Sequence, residues 1–317
     1  MTSDFKLLER IVHVAPFGVR FRDAVTGAQV ADGLLVEAYS KAAASRRRRV
    51  EDEISGRRRA FINRSGVHVL MELPGLRRFE NGEVEEDVRE ASPPGAGLFM
   101  IEVEDISRRY LPFSFETQLP FKGLFVWDEN PLPFESPLAP EVPDGLPLFS
   151  APTRSTPAGM AVIRAELWDE TAGTPAAYAL LEARFKGTLL GRGMADKVGR
   201  LALIFPYPPP AKLPQTSPPS GSGSIPPLTQ QEWAIELTAR YGPLASPPVF
   251  EQKFPDLYTI LSQQTARLWQ DAARTEELTT AMLKFGRECF VRTEVASPLT
   301  SPLEGAPLAA LFITPAA

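Results

Sequence analysis

The chain has 317 residues, 44% hydrophobic and 23% charged, with a formal net charge of −5, which excludes wholesale disorder and gives no basis for a basic nucleic-acid groove. Cys289 is its one cysteine, so an internal disulfide is excluded and folding in a reducing cytoplasm is expected. No run approaches the ~20 apolar residues that span a bilayer, and Met1 to Arg10 is charged throughout, so we expect cytoplasmic synthesis without a signal peptide and, if the protein acts outside the cell, release as part of a particle.

In chain order, the segments Val12 to Phe21, Leu34 to Tyr39, Val67 to Leu73 and Leu98 to Val103 alternate apolar and polar residues between turn formers, which predicts strands. Between the second and third lies a charged insertion, 40–59, containing Arg46, Arg47, Arg48 and Arg49, then Glu51-Asp52-Glu53 and Arg57-Arg58-Arg59. The four arginines are candidate contacts for an acidic partner surface, although the interleaved carboxylates nearly neutralise the run and favour a solvated loop. Glu85-Glu86-Asp87, in a polar stretch ending at Pro93-Pro94, reads as a loop rather than a glycosidase pair. Phe125 and Trp127, in Leu124-Phe125-Val126-Trp127-Asp128 before a run of prolines, are candidate exposed anchors for a partner.

The 32 prolines are about twice the usual share of roughly 5%, and from Pro112 to Pro255 they argue against long helices. Residues 127–156 read as an extended proline-rich connection. Strand texture then returns in Ala161 to Trp168, Ala177 to Phe185, Arg200 to Phe205 and Trp233 to Tyr241, interrupted by a Pro/Ser/Gly insertion at 206–227. Trp168 and Trp233 alternate with apolar neighbours and are expected in the core. After Pro255, Asp256 is a candidate N-cap, and Leu257, Ile260, Leu261, Ala266, Leu268 and Trp269 approximate one helical face. Met282, Lys284 to Val291 and Leu311 to Ile313 return to strand texture.

The most informative feature is internal repetition. Asp23, Gly27, Val30, Leu34 and Leu35 match Asp169, Gly173, Ala176, Leu180 and Leu181 at a constant separation of 146 residues, and Asn63-Arg64-Ser65-Gly66 matches Asp196-Lys197-Val198-Gly199 at 133. Each copy therefore reads as strand, Asp-x-x-x-Gly turn, strand, long return, Asn/Asp-x-x-Gly turn, strand. Asp and Asn hold such turns through bonds to the backbone, and Gly supplies positive φ. Asp23 and Asp169 are thus expected to be structural.

Chemistry is not legible. His13 and His68 are the only histidines, and neither has carboxylates or cysteines at ligand spacing. Nucleophile-elbow, phosphate-loop and dinucleotide motifs do not occur. We expect no catalytic residue, no cofactor and no metal.

The paired turn motifs with alternating apolar residues resemble the carboxypeptidase-regulatory and transthyretin-like β-sandwich group, a module without an active site of its own. Across most of the chain, the order Phe17-Gly18-Val19-Arg20-Phe21, Leu111-Pro112-Phe113, Pro147-Leu148-Phe149-Ser150-Ala151-Pro152-Thr153, Ala165-Glu166-Leu167-Trp168-Asp169 and Leu283-Lys284-Phe285-Gly286-Arg287-Glu288 resembles an uncharacterised bacterial family encoded with extracellular contractile injection systems, the phage-tail-like particles. The resemblance implies a structural or accessory subunit. The expectation is a mostly β chain of two immunoglobulin-like or transthyretin-like sandwich domains, 1–126 and 157–255, joined by 127–156 and followed by a helix-plus-strand segment, 256–317. Its partners would be other protein subunits of a large assembly, with no nucleic acid and no membrane insertion. The alternative is a carbohydrate- or surface-binding accessory protein using aromatics such as Trp127.

Overall fold

The computed structural model describes residues 14–40, 56–76, 80–81, 97–121, 124–125, 145–210, 227–242, 253–271, 273–291 and 310–315. Within them the chain is mostly β, in sheets that pack as β-sandwiches around two large apolar cores.

The first module begins with β1 (Phe17–Val19) and β2 (Phe21–Asp23), one strand interrupted at Arg20. It continues with β3 (Leu34–Ser40), β4 (Arg58–Arg59), β5 (Phe61–Ile62), β6 (His68–Leu70), β7 (Gly97–Asp105), β8 (Phe113–Leu119) and β9 (Leu146–Leu148). Four strands form one sheet in the order β4-β3-β7-β8, β1-β6-β5 form a second, and β9 runs parallel to β2. Period-2 burial follows from this layering. Leu34, Val36 and Ala38 of β3 turn inward with Phe99, Ile101 and Val103 of β7 and Phe113, Phe115 and Leu119 of β8. Phe17 and Phe21 from the facing strands, and Phe149 just after β9, close the core.

The second module contains β10 (Met160–Asp169), β11 (Thr174–Pro175), β12 (Leu180–Phe185), β13 (Thr188–Met194), β14 (Arg200–Pro206), β15 (Glu232–Arg240), helix α1 (Leu257–Leu261), β16 (Thr265–Trp269), β17 (Thr280–Lys284), β18 (Cys289–Val291) and β19 (Leu311–Pro315). Its core is lined by Ile163, Leu167, Leu181, Leu203, Phe205, Ile235, Leu237, Leu268, Leu283 and Ile313. Trp168 and Trp233 are buried.

The repeat is visible as register. Phe17, Gly18 and Val19 pair with Leu70, Val69 and His68, and the residues 146 and 133 positions on, Ile163, Arg164 and Ala165, pair with Leu203, Ala202 and Leu201. The Val30 amide donates to the Phe21 carbonyl as Ala176 does to Leu167. Both turns also repeat. Asp23 Oδ1 accepts the Val25 amide and Asp169 Oδ1 the Thr171 amide, while Asn63 Oδ1 accepts from Ser65 and Val67 as Asp196 Oδ1 does from Val198 and Arg200.

Correspondence extends beyond the matched motifs. β9 pairs in parallel with β2 (Phe21 with Leu146, Asp23 with Leu148) as β19 does with β10 (Leu167 with Leu311, Asp169 with Ile313). The single bridge from Val19 to Phe125 answers that from Ala165 to Val291. Strand pairing thus joins Leu146–Leu148 to the first module and β16 to β19 to the second.

The match also slips in one place. Leu34 faces the first core, whereas its sequence counterpart Leu180 turns away from the second core and Leu181 fills it. One additional residue is accommodated ahead of β12, where Tyr178 adopts φ 61°. The helical face also ends sooner than its spacing predicts. Asp256 caps α1 by accepting the Thr259 amide, but Ala266, Leu268 and Trp269 lie on β16, where 265–269 alternate exposed and buried.

Candidate interaction surfaces

The modules are tied by three sets of contacts. First, Arg154, just after β9, makes two hydrogen bonds to the Asp23 carboxylate at 2.9 and 2.6 Å and a third to Ser150 Oγ. Arg164 on β10 donates to the Pro152 and Arg154 carbonyls and pairs with Glu288. Burial alone would raise the Asp23 carboxyl, but Arg154 and the Val25 and Thr26 donors hold it below the ordinary carboxylate range. The Arg154 guanidinium also lies 4.8 Å from the ring centre of buried Tyr110. Second, Val25 from the first Asp turn packs on Val162, Ala202 and Ile204 of β10 and β14.

Third, the connection between β15 and β16 seats on β7 and β8. The Ser114 amide donates to the Pro255 carbonyl and the Ser114 hydroxyl to Phe254, while Lys253 Nζ reaches Glu104 at 2.7 Å. Leu257, Ile260 and Leu261 of α1 join the first core together with Leu180 and Met194 of the second module. Met194 is fully buried there.

Among the described residues several large apolar side chains stay open, including Leu98, Ile106, Val198 and Tyr258. Phe61 and Ile62 on the edge strand β5 are 51% and 40% exposed, and Met282 on β17 and Phe290 on β18 are 55% and 62% exposed. The latter two flank Cys289, whose Sγ lies 3.6 Å from the Met282 carbonyl.

The sequence-predicted contact residues scatter. Arg46, Arg47, Arg48, Arg49 and Trp127 lie outside the described residues. Phe125 is half-buried among Phe17, Phe115 and Phe121, with ring centres 5.2 to 5.4 Å away. Of the charged insertion, Arg57 is described at its end, and it pairs with Glu102 and Glu37 on the outer face of β7 and β3.

The carboxylates that might suggest chemistry have structural partners, whereas both ring nitrogens of buried His68 lack a hydrogen bond. Asp23 and Asp169 hold their turns, and Asp169 also accepts from the buried Tyr241 hydroxyl, which burial and that bond push upward. Buried Glu182 is held by Arg192 and Arg184. His68 is buried edge-on to Phe21, with ring centres 5.0 Å apart. Burial pushes its pKa down to about 4, against the pull of the Ala31 backbone and the Asp32 charge. Among the described residues no group of three or more His, Cys, Asp and Glu is placed to hold a metal ion, and no helix is long and apolar enough to cross a membrane.

Neither a protein-family model nor a curated protein matches the chain. Among solved structures, the Bacillus anthracis TIE protein aligns over 85% of this chain and 41% of its own, at a TM-score of 0.22 and 8% identity.

Proposed function

We propose that this protein is a non-catalytic structural subunit that works through protein contacts in a large assembly, of the phage-tail-like contractile injection kind suggested by the segment order. The observation that carries the reading is the junction. Asp23 with Arg154, Val25 on β10 and β14, and α1 on the first core fix the two sandwiches to each other, while Phe61, Ile62, Met282 and Phe290 present apolar surface on sheet edges. A fixed pair of modules holds two surfaces at a set separation and orientation, which is what a spacer or adaptor requires. Exposed apolar side chains on an edge are costly in a free monomer and useful at an interface.

Affinity capture of the tagged chain from its native host, with mass spectrometry of what accompanies it, tests this directly. The proposal expects sheath, tube or baseplate-type subunits in a fixed ratio to the chain. Recovery of the chain alone, from lysates that contain intact particles, overturns it.

A further inference from the structure

His68 stands at a place that the second module fills with an apolar side chain. The turns at Asn63 and Asp196 share their hydrogen bonds and their spacing, so the counterpart of His68, 133 residues on, is Leu201. The pairing agrees: His68 lies opposite Val19 on β1 as Leu201 lies opposite Ala165 on β10. Leu201 belongs to the second core. His68 is buried to the same degree, with both residues 1% exposed, yet neither of its ring nitrogens has a hydrogen bond. A neutral imidazole carries one N–H donor and one acceptor, so the ring leaves two polar groups unmet, a cost that leucine at the same place avoids.

Protonation makes both nitrogens donors and adds a charge, and the surroundings offer little to meet it. The ring is edge-on to Phe21 and its strand neighbours are Val19 and Ile62. Asp32, on the connection between β2 and β3, favours the protonated ring, but it is exposed and burial outweighs it. Asp105 and Arg109, at the end of β7, are paired with each other, and Arg109 also donates to the Asp32 carbonyl. Arg20 and Arg22 alternate with buried Val19, Phe21 and Asp23 and so lie on the other face of their strand, and Asp23 is held by Arg154. β5 and β6 bring no charge of their own. They are also short, two and three residues, whereas β14, the counterpart of β6, has seven. Opening the hairpin therefore breaks few ladder bonds, as local unfolding requires.

We infer that the first module carries an acid-operated release, in which protonation of His68 frees the β5–β6 hairpin from β1 while the second module, with Leu201 in the same place, keeps its strands paired. The closed hairpin excludes the proton and the open one accepts it, so acid draws the equilibrium toward the open form. Opening uncovers Val19, Phe21 and Leu70, which are fully buried when the hairpin is closed. The release is a property of the chain itself and stands or falls apart from the assembly proposed above.

Hydrogen exchange of the purified full chain at pH 7 and pH 5, read by mass spectrometry and corrected for intrinsic rates, tests the release. The lower pH lies below the ordinary histidine value and above the ordinary carboxylate range. Protection of residues 61–70 is expected to fall on the order of twentyfold between the two, and that of residues 194–203, the same positions in the second module, to stay unchanged. His68→Leu, which installs the residue found in the second module, should abolish the difference. A second readout needs no variant: the ring protons of His68, one of two histidines, are expected in NMR spectra to titrate only as the hairpin loses protection. Unchanged protection at pH 5, equal losses in both segments, a pH effect that survives His68→Leu, or a ring that titrates at the ordinary histidine value while the hairpin stays protected overturns the release.

Discussion

Asp23 shows how a residue that resembles a catalytic acid is spent on structure. Its carboxylate takes the Val25 amide, the Thr26 hydroxyl and two bonds from Arg154. The pair is nearly buried, with side-chain exposures of 12% for Arg154 and 5% for Asp23, so deleting one partner strands the other. Asp23→Ala should cost about 3 to 5 kcal/mol in denaturant unfolding, whereas Asp169→Ala, which loses a turn and one tyrosine bond, should cost about 1 to 3 kcal/mol. His68 gives the pH dependence. Its folded pKa of about 4 lies below the ordinary histidine value of 6.5, so between those pH values the unfolded chain binds a proton that the folded chain does not, and stability falls as pH falls through that window. His68→Leu should flatten that part of the curve, measured by urea midpoints from pH 7 to pH 4.

The turn glycines differ in how closely the neighbouring strand approaches them. Gly173 and Gly199 both adopt positive φ, 65° and 80°, but a Cβ on Gly173 meets nothing within 4 Å, whereas one on Gly199 would lie 2.3 Å from the Leu167 carbonyl oxygen. Gly173→Ala should therefore cost only the left-handed strain of about 1 kcal/mol, and Gly199→Ala clearly more, because β10 must move away from the turn. Thermal denaturation of the two variants side by side checks the order.

Most strands and both turns were legible, because a half-buried strand writes its period into the sequence. What escaped was carried by neighbours rather than by pattern. β13 reads poorly as a strand because Gly191 and Gly193 occupy it, yet a Cβ on Gly191 would lie 2.7 Å from Phe205 Cβ, so glycine is what lets β13 approach β14. β9 was hidden in a proline-rich stretch, since an edge pairing in parallel with β2 tolerates Pro147. The apolar spacing of Leu257 to Trp269 spans a helix and then a strand, two periods that a short window merges. Phe125 read as an exposed anchor, and its half-buried place against Phe17 and Phe115 follows from a bridge to Val19 that lies more than a hundred residues back.

At the scale of the whole molecule, the junction makes one body of two sandwiches. Arg154→Ala or Leu257→Ala should loosen it and split a single thermal transition into two, read by calorimetry, whereas the intact chain should unfold in one. The role proposed for that body is a structural subunit of a phage-tail-like particle. Gradient sedimentation of native-host lysate, with the chain followed by antibody, tests it most directly: the account predicts that the chain travels with intact phage-tail-like particles and is released when they are dismantled. A chain found entirely at the position of the free monomer, with particles present elsewhere in the same gradient, would contradict it.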